Sequence, residues 1–133
     1  MSKSVILRKT QRQRDLVDLS LCLTLFRMCN GRQFERMEGS TFVNFLNLRD
    51  QSSITVLKKE KTRVCYLIYK VADHLNDPYL ANEWKGEMLR ICNIESGFYQ
   101  SHYLDAESSD AKMNKLFCKE LKHAILVAKA YEG

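Results

Sequence analysis

A single proline, Pro78, and five glycines are all the strong breakers in 133 residues. A chain so rarely interrupted is expected to form long helices. A fold of many short strands would need a turn signal about every ten residues. Charged residues make up 28% and hydrophobic residues 45%, as in ordinary globular proteins. The length suits one domain that can bury a core without staples.

Five cysteines, Cys22, Cys29, Cys65, Cys92 and Cys118, are odd in number, and no two are spaced Cys-x-x-Cys. No run reaches the roughly 18 apolar residues of a membrane span. The most apolar stretch, Leu16 to Cys29, is shorter and contains Asp18 and Arg27. It also lacks the small-residue cleavage site of a signal peptide. The expectation is a cytoplasmic protein whose reduced thiols serve as small apolar core residues.

The pattern predicts an all-α fold: a basic arm over 1–13, then a single helical domain over 14–133 with about five helices. Arg14 to Asn30 reads as a buried helix ended by Asn30-Gly31, although Leu19, Leu21, Leu23 and Leu25 alternate as in a strand. Ser40 is expected to cap a short helix from Thr41 to about Leu48. Arg49 to Ser53 reads as a polar turn, and the β-branched Ile54-Thr55-Val56 as a short strand. Val64, Leu67, Ile68, Val71, Ala72 and Leu75 mark one face of a helix over Lys61–Leu75. Asp77 and Pro78 suit the cap and first position of a helix running to about Asn93. Leu80, Trp84, Met88 and Ile91 would line its inner face. Gly97 to Asp105 reads as an aromatic loop folded down as a lid on the core. Ser108 or Ser109 would cap a last helix with a stripe of Met113, Leu116, Phe117, Leu121, Ala124, Ile125 and Ala128.

Charge is unevenly placed. The formal excess of +5 equals the contribution of Lys3, Arg8, Lys9, Arg12 and Arg14, which no acid accompanies. Residues 58–63 carry a net +3 from Lys58, Lys59, Lys61 and Arg63 against Glu60, whereas 73–110 hold eight acids against Lys85 and Arg90. Cations at a helix start oppose its dipole, which points to an anion nearby. The candidate phosphate-contacting residues are therefore Arg8, Lys9, Arg12, Arg14, Lys58, Lys59, Lys61 and Arg63.

Catalytic and metal motifs are weak. Glu120 and His123 form one Glu-x-x-His step, but a carboxylate-bridged di-metal bundle needs a second step and two further glutamates. Glu83 and Glu87 lie four apart and read as a solvated face. No nucleophile motif or Gly-rich phosphate loop surrounds the cysteines, serines or histidines. The expectation is no enzyme activity, no cofactor and no metal.

Lys61-Thr62 leading into Tyr66-Leu67-Ile68-Tyr69, then Ile91-Cys92-Asn93-Ile94-Glu95-Ser96-Gly97-Phe98-Tyr99, then Lys115-Leu116-Phe117 and Leu121-Lys122, form a pattern. From near Ile54 to near Leu121, about half the chain, it resembles the C-terminal region of RteC-like regulators of Bacteroidetes conjugative transposons. The resemblance implies a helical domain with a winged-helix-like element, acting as a DNA-binding regulator of excision or transfer. The expected function is thus a small non-enzymatic regulator contacting DNA phosphates. The alternative is a helical module for protein partners or self-association, docked through the acidic 73–110 surface, with no nucleic-acid role.

Overall fold

The structure, a computed structural model, describes residues 15–49 and 54–132. The arm and most of the expected polar turn at 49–53 lie outside these residues. The described residues form helices α1 (Leu19–Cys29), α2 (Gly39–Leu46), α3 (Lys61–His74), α4 (Pro78–Ile91), α5 (Ser96–His102), α6 (Asp105–Ser108) and α7 (Lys112–Glu132). The fold is an all-α single domain.

Helix α1 begins at Leu19 rather than near Arg14, because Asp18 caps it by accepting the Ser20 N–H at 3.1 Å. Helical spacing, and not strand alternation, sorts its leucines: Leu21 and Leu25 are buried while Leu19 and Leu23 face solvent. Gly31 follows with φ 75°, a conformation that suits a residue without Cβ. Helix α2 starts at Gly39, so Ser40 lies inside it and does not cap it. Glu38 occupies the cap position without a side-chain cap bond.

The strand expected at Ile54–Val56 is reduced to one antiparallel bridge, Phe34 to Val56. Glu35 N–H donates to Thr55 O and Leu57 N–H to Gln33 O, each at 2.9 Å. Pairing stops there because the facing segment has other partners. The Asn30 side chain takes the Met37 N–H at 2.8 Å, and α2 opens at Gly39. Beyond this bridge and one between Asn30 and Phe34, the described residues carry no β pairing, and no β wing forms among them.

Two groups of helices share α7. Helix α1 packs on α2 and α7, while α3 packs on α4, α5, α6 and α7. Eight of the fourteen residues of α3 are buried, Tyr66 among them, so its flanks are core. A cluster of edge-to-face rings fills the α1–α2 side: Phe34, Phe42 and Phe45 lie 5.7–5.9 Å apart by centroid. Two polar groups join α2 to the rest. Asn47, fully buried, accepts the Val17 N–H at 2.9 Å and donates to Val43 O at 3.0 Å. The indole of Trp84 donates to Leu46 O at 2.7 Å across the α2–α4 gap. Helix α4 starts as expected: Asp77 accepts the N–H groups of Tyr79 and Leu80, with Pro78 in the first turn.

Two further expectations change. The segment expected as an aromatic loop over Gly97–Asp105 is largely helix α5. Its rings still cover the core, with Tyr99 buried and stacked on Tyr103 at 5.2 Å. On α7, Phe117, Leu121, Ala124, Ile125 and Ala128 are buried, but Met113 and Leu116 are 67% and 56% exposed. At about 100° per residue the last helix cannot turn both groups inward at once.

Candidate nucleic-acid interface

The surface builds from two helix starts. Leu57 to Glu60 makes a β-turn closed by Glu60 N–H to Leu57 O at 3.1 Å. Lys59 sits in it with φ 70°, a left-handed backbone that favours glycine, and here it carries a lysine. Lys58, Lys59 and Lys61 are all exposed. Glu60 stands at the cap position of α3 but makes no side-chain cap bond. Its carboxylate instead accepts from Gln33 Nε2 at 3.0 Å and from Arg63 at 2.7 Å. The first turn of α3 therefore carries no acid.

Arg63 does not face outward. Its side chain is only 14% exposed, and its Nε donates to Asn114 Oδ1 at 2.7 Å. Asn114 in turn donates to Ser109 Oγ at 2.9 Å, which also accepts the Ala111 N–H at 3.0 Å. This relay clamps the first turn of α3 to the first turn of α7. Ser109 thus anchors the start of the last helix, close to its expected capping role. Arg63 is spent inside the fold as an ion pair with Glu60, and the outward charge passes to lysines.

The first turn of α7 also lacks acids and brings exposed Lys112 and Lys115 beside the α3 start. Asp110, just before α7, is the acid on its approach. The result is five exposed lysines at two adjoining helix N-termini, whose dipoles add partial positive charge. Lys61 is held by an aromatic face, its Nζ 4.9 Å from the Phe98 ring centre. Phe98 packs on His102 at 4.4 Å, and His102 Nδ1 lies 2.7 Å from Asp105. Arg8, Lys9, Arg12 and Arg14 lie outside the described residues.

The arrangement offers fixed positive charge and one half-buried ring. A separate open cleft of about 470 Å³ lies between the end of α3, the first half of α4 and α5. Tyr69, Asp73, Asn76, Lys85 and Tyr99 line it. Lys85 is turned over the Tyr99 ring at 5.4 Å. Among the described residues no group of three or more His, Cys, Asp and Glu side chains is placed to hold a metal ion. No helix among them is long and apolar enough to cross a membrane.

All five cysteines are free and buried. Burial pushes the thiols of Cys22, Cys29 and Cys92 up to about 12 and that of Cys65 to about 11. Such thiols hold little nucleophilic thiolate near neutral pH. Glu83 and Glu87 do not act as a pair: Glu83 is buried, and Glu87 accepts from Arg90 at 2.8 Å.

Asn114, Lys112 and Lys115 were invisible to a reading by local charge runs. They join the cluster through a contact 51 residues away in sequence. The one signal was the return of positive charge after Asp110. Compared with known proteins, the chain matches no family model, no curated protein and no solved structure.

Proposed function

We propose that the protein binds nucleic acid through the adjoining starts of α3 and α7, as a small non-enzymatic regulator of the mobile-element type. The observation that carries this reading is the set Lys58, Lys59, Lys61, Lys112 and Lys115, exposed where neither helix holds an acid in its first turn. Positive dipole ends and lysines attract phosphate without reading bases, so these contacts position the protein on a duplex. The strained backbone at Lys59 supports the reading, because a glycine there would relieve the strain and lose the charge.

A winged helix reads bases by laying the side of a recognition helix in the major groove. Helix α3 has most of its flank buried, so its approach to DNA is end-on. Sequence preference would then come from the basic arm or from DNA shape.

Binding of the full chain to mixed duplex DNA by fluorescence anisotropy tests the proposal. Ala at Lys58, Lys59 and Lys61 together should weaken binding strongly. Ala at Lys129, at the far end of α7, should leave it nearly unchanged. Equal loss in both variants, or no binding at low salt, refutes the site. In that event the protein-interaction reading takes over, favoured by the exposed apolar side chains of α7.

A further inference from the structure

Among the described residues, five of the nine large apolar side chains that lie exposed belong to α7: Met113, Leu116, Leu126, Val127 and Tyr131. Three of them, Met113, Leu116 and Val127, fall in one stripe, and Tyr131 lies one turn beyond it. Met113, Leu116, Glu120, His123 and Val127 follow each other at alternating steps of three and four, the spacing of a coiled-coil seam. The stripe turns roughly 90° away from the buried face of Phe117, Leu121, Ala124 and Ala128 at about 100° per residue. It is open: Met113 is 67%, Leu116 56%, Val127 40% and Tyr131 85% exposed, and Glu120 and His123 are exposed between them.

The stripe is complementary to itself when reversed. A twofold axis between residues 121 and 122 carries 113 onto 130, 116 onto 127 and 120 onto 123. Met113 then meets Ala130 and Tyr131 of a second copy, Leu116 meets its Val127, and Glu120 meets its His123. Apolar groups face apolar ones at both ends, and the acid faces the imidazole twice at the centre. A parallel pairing would set Glu120 against Glu120. The flanking positions place Lys119 beside Leu126 of the second copy, where its stem can cover the remaining exposed leucine.

We propose that α7 is a homodimer interface, with two copies packed antiparallel along Met113, Leu116, Glu120, His123 and Val127. The self-complementary order is what selects a second copy over an unrelated partner, because the two ends of the stripe match about its own midpoint. It also gives the lone Glu-x-x-His step a use that needs no metal. One helix pair is at the small end of specific interfaces, so the dimer forms in a concentration-dependent way. The inference does not rest on the nucleic-acid reading.

Sedimentation velocity of the full chain without nucleic acid, from low micromolar to several hundred micromolar, tests it. The expected result is a monomer–dimer equilibrium. Leu116→Glu should weaken it by about thirtyfold or more, and Glu120→Lys by about tenfold. Glu120→Lys combined with His123→Glu should recover the wild-type constant. All three positions are exposed, so far-UV circular dichroism and the melting midpoint should stay within a few degrees of wild type. A chain that stays monomeric throughout, or a dimer insensitive to Leu116→Glu, overturns the interface. Failure of the double variant to recover overturns the antiparallel register.

Discussion

Replacing Trp84 with Phe isolates the contact that fastens α2 to α4. Trp84 is 1% exposed and its indole N–H donates to Leu46 O at 2.7 Å. That carbonyl belongs to the last turn of α2, beyond the reach of the helix's own ladder. The next amides are taken elsewhere, Leu48 N–H by Phe45 O and Arg49 N–H by Asn44 O. Phe keeps a ring in place but cannot donate, which leaves a buried acceptor at a cost of about 1–3 kcal/mol. The smaller ring adds a void worth about 1 kcal/mol. The sum is a loss of about 2–4 kcal/mol. For 133 residues the unfolding entropy near 60 °C is about 280 cal/mol/K, so each kcal/mol moves the midpoint by about 3.5 °C. Thermal unfolding followed by circular dichroism should therefore show a drop of about 7–14 °C. Circular dichroism is the right probe because Trp84 is the sole tryptophan. A drop below about 3 °C would mean that the indole hydrogen bond does not hold the α2–α4 joint.

Other outcomes follow from single contacts. Lys59→Gly should raise stability by about 0.5–1 kcal/mol in urea unfolding, by releasing a left-handed backbone, while lowering DNA affinity. Glu107 accepts from the buried Tyr66 hydroxyl at 2.6 Å, and that bond holds its carboxyl below the ordinary value. Its contribution is complete above the unfolded carboxyl pKa of about 4.3 and fades as pH falls through the lower folded value. Tyr66→Phe should therefore flatten the fall in urea midpoint below about pH 4. Ellman's reagent should label the native protein slowly and all five thiols after denaturation, since every cysteine is buried.

Periodicity and caps made most of the helices legible. Asp77 and Pro78 announced α4, and the apolar spacing of α3 survived into the fold because one face of it does meet α4 and α7. The failures have physical causes. Ser40 looked like a cap, but α2 begins one residue earlier with Glu38 before it. Ile54–Val56 had strand propensity, yet its facing segment was already bonded to Asn30 and α2. Local composition could not show either competition. Met113 and Leu116 are apolar at near-helical spacing, so they read as core until the position of the other helices showed which side of α7 was covered.

The site divides in the same way. The lysines at 58–61 stand out as a charge run, and the structure leaves them exposed. Arg63, in the same run, is taken inward by Glu60 and Asn114. Lys112 and Lys115 are joined to the site by tertiary contact alone.

The most direct test of the central claim is the salt dependence of duplex binding. Log affinity against log salt would be compared for the wild-type chain and for Ala at Lys58, Lys59, Lys61, Lys112 and Lys115 together. Each lost phosphate contact should reduce the slope by about one, so the variant's slope should be shallower by about four to five. An equal slope in the two proteins would contradict the assignment of phosphate contacts to the adjoining starts of α3 and α7.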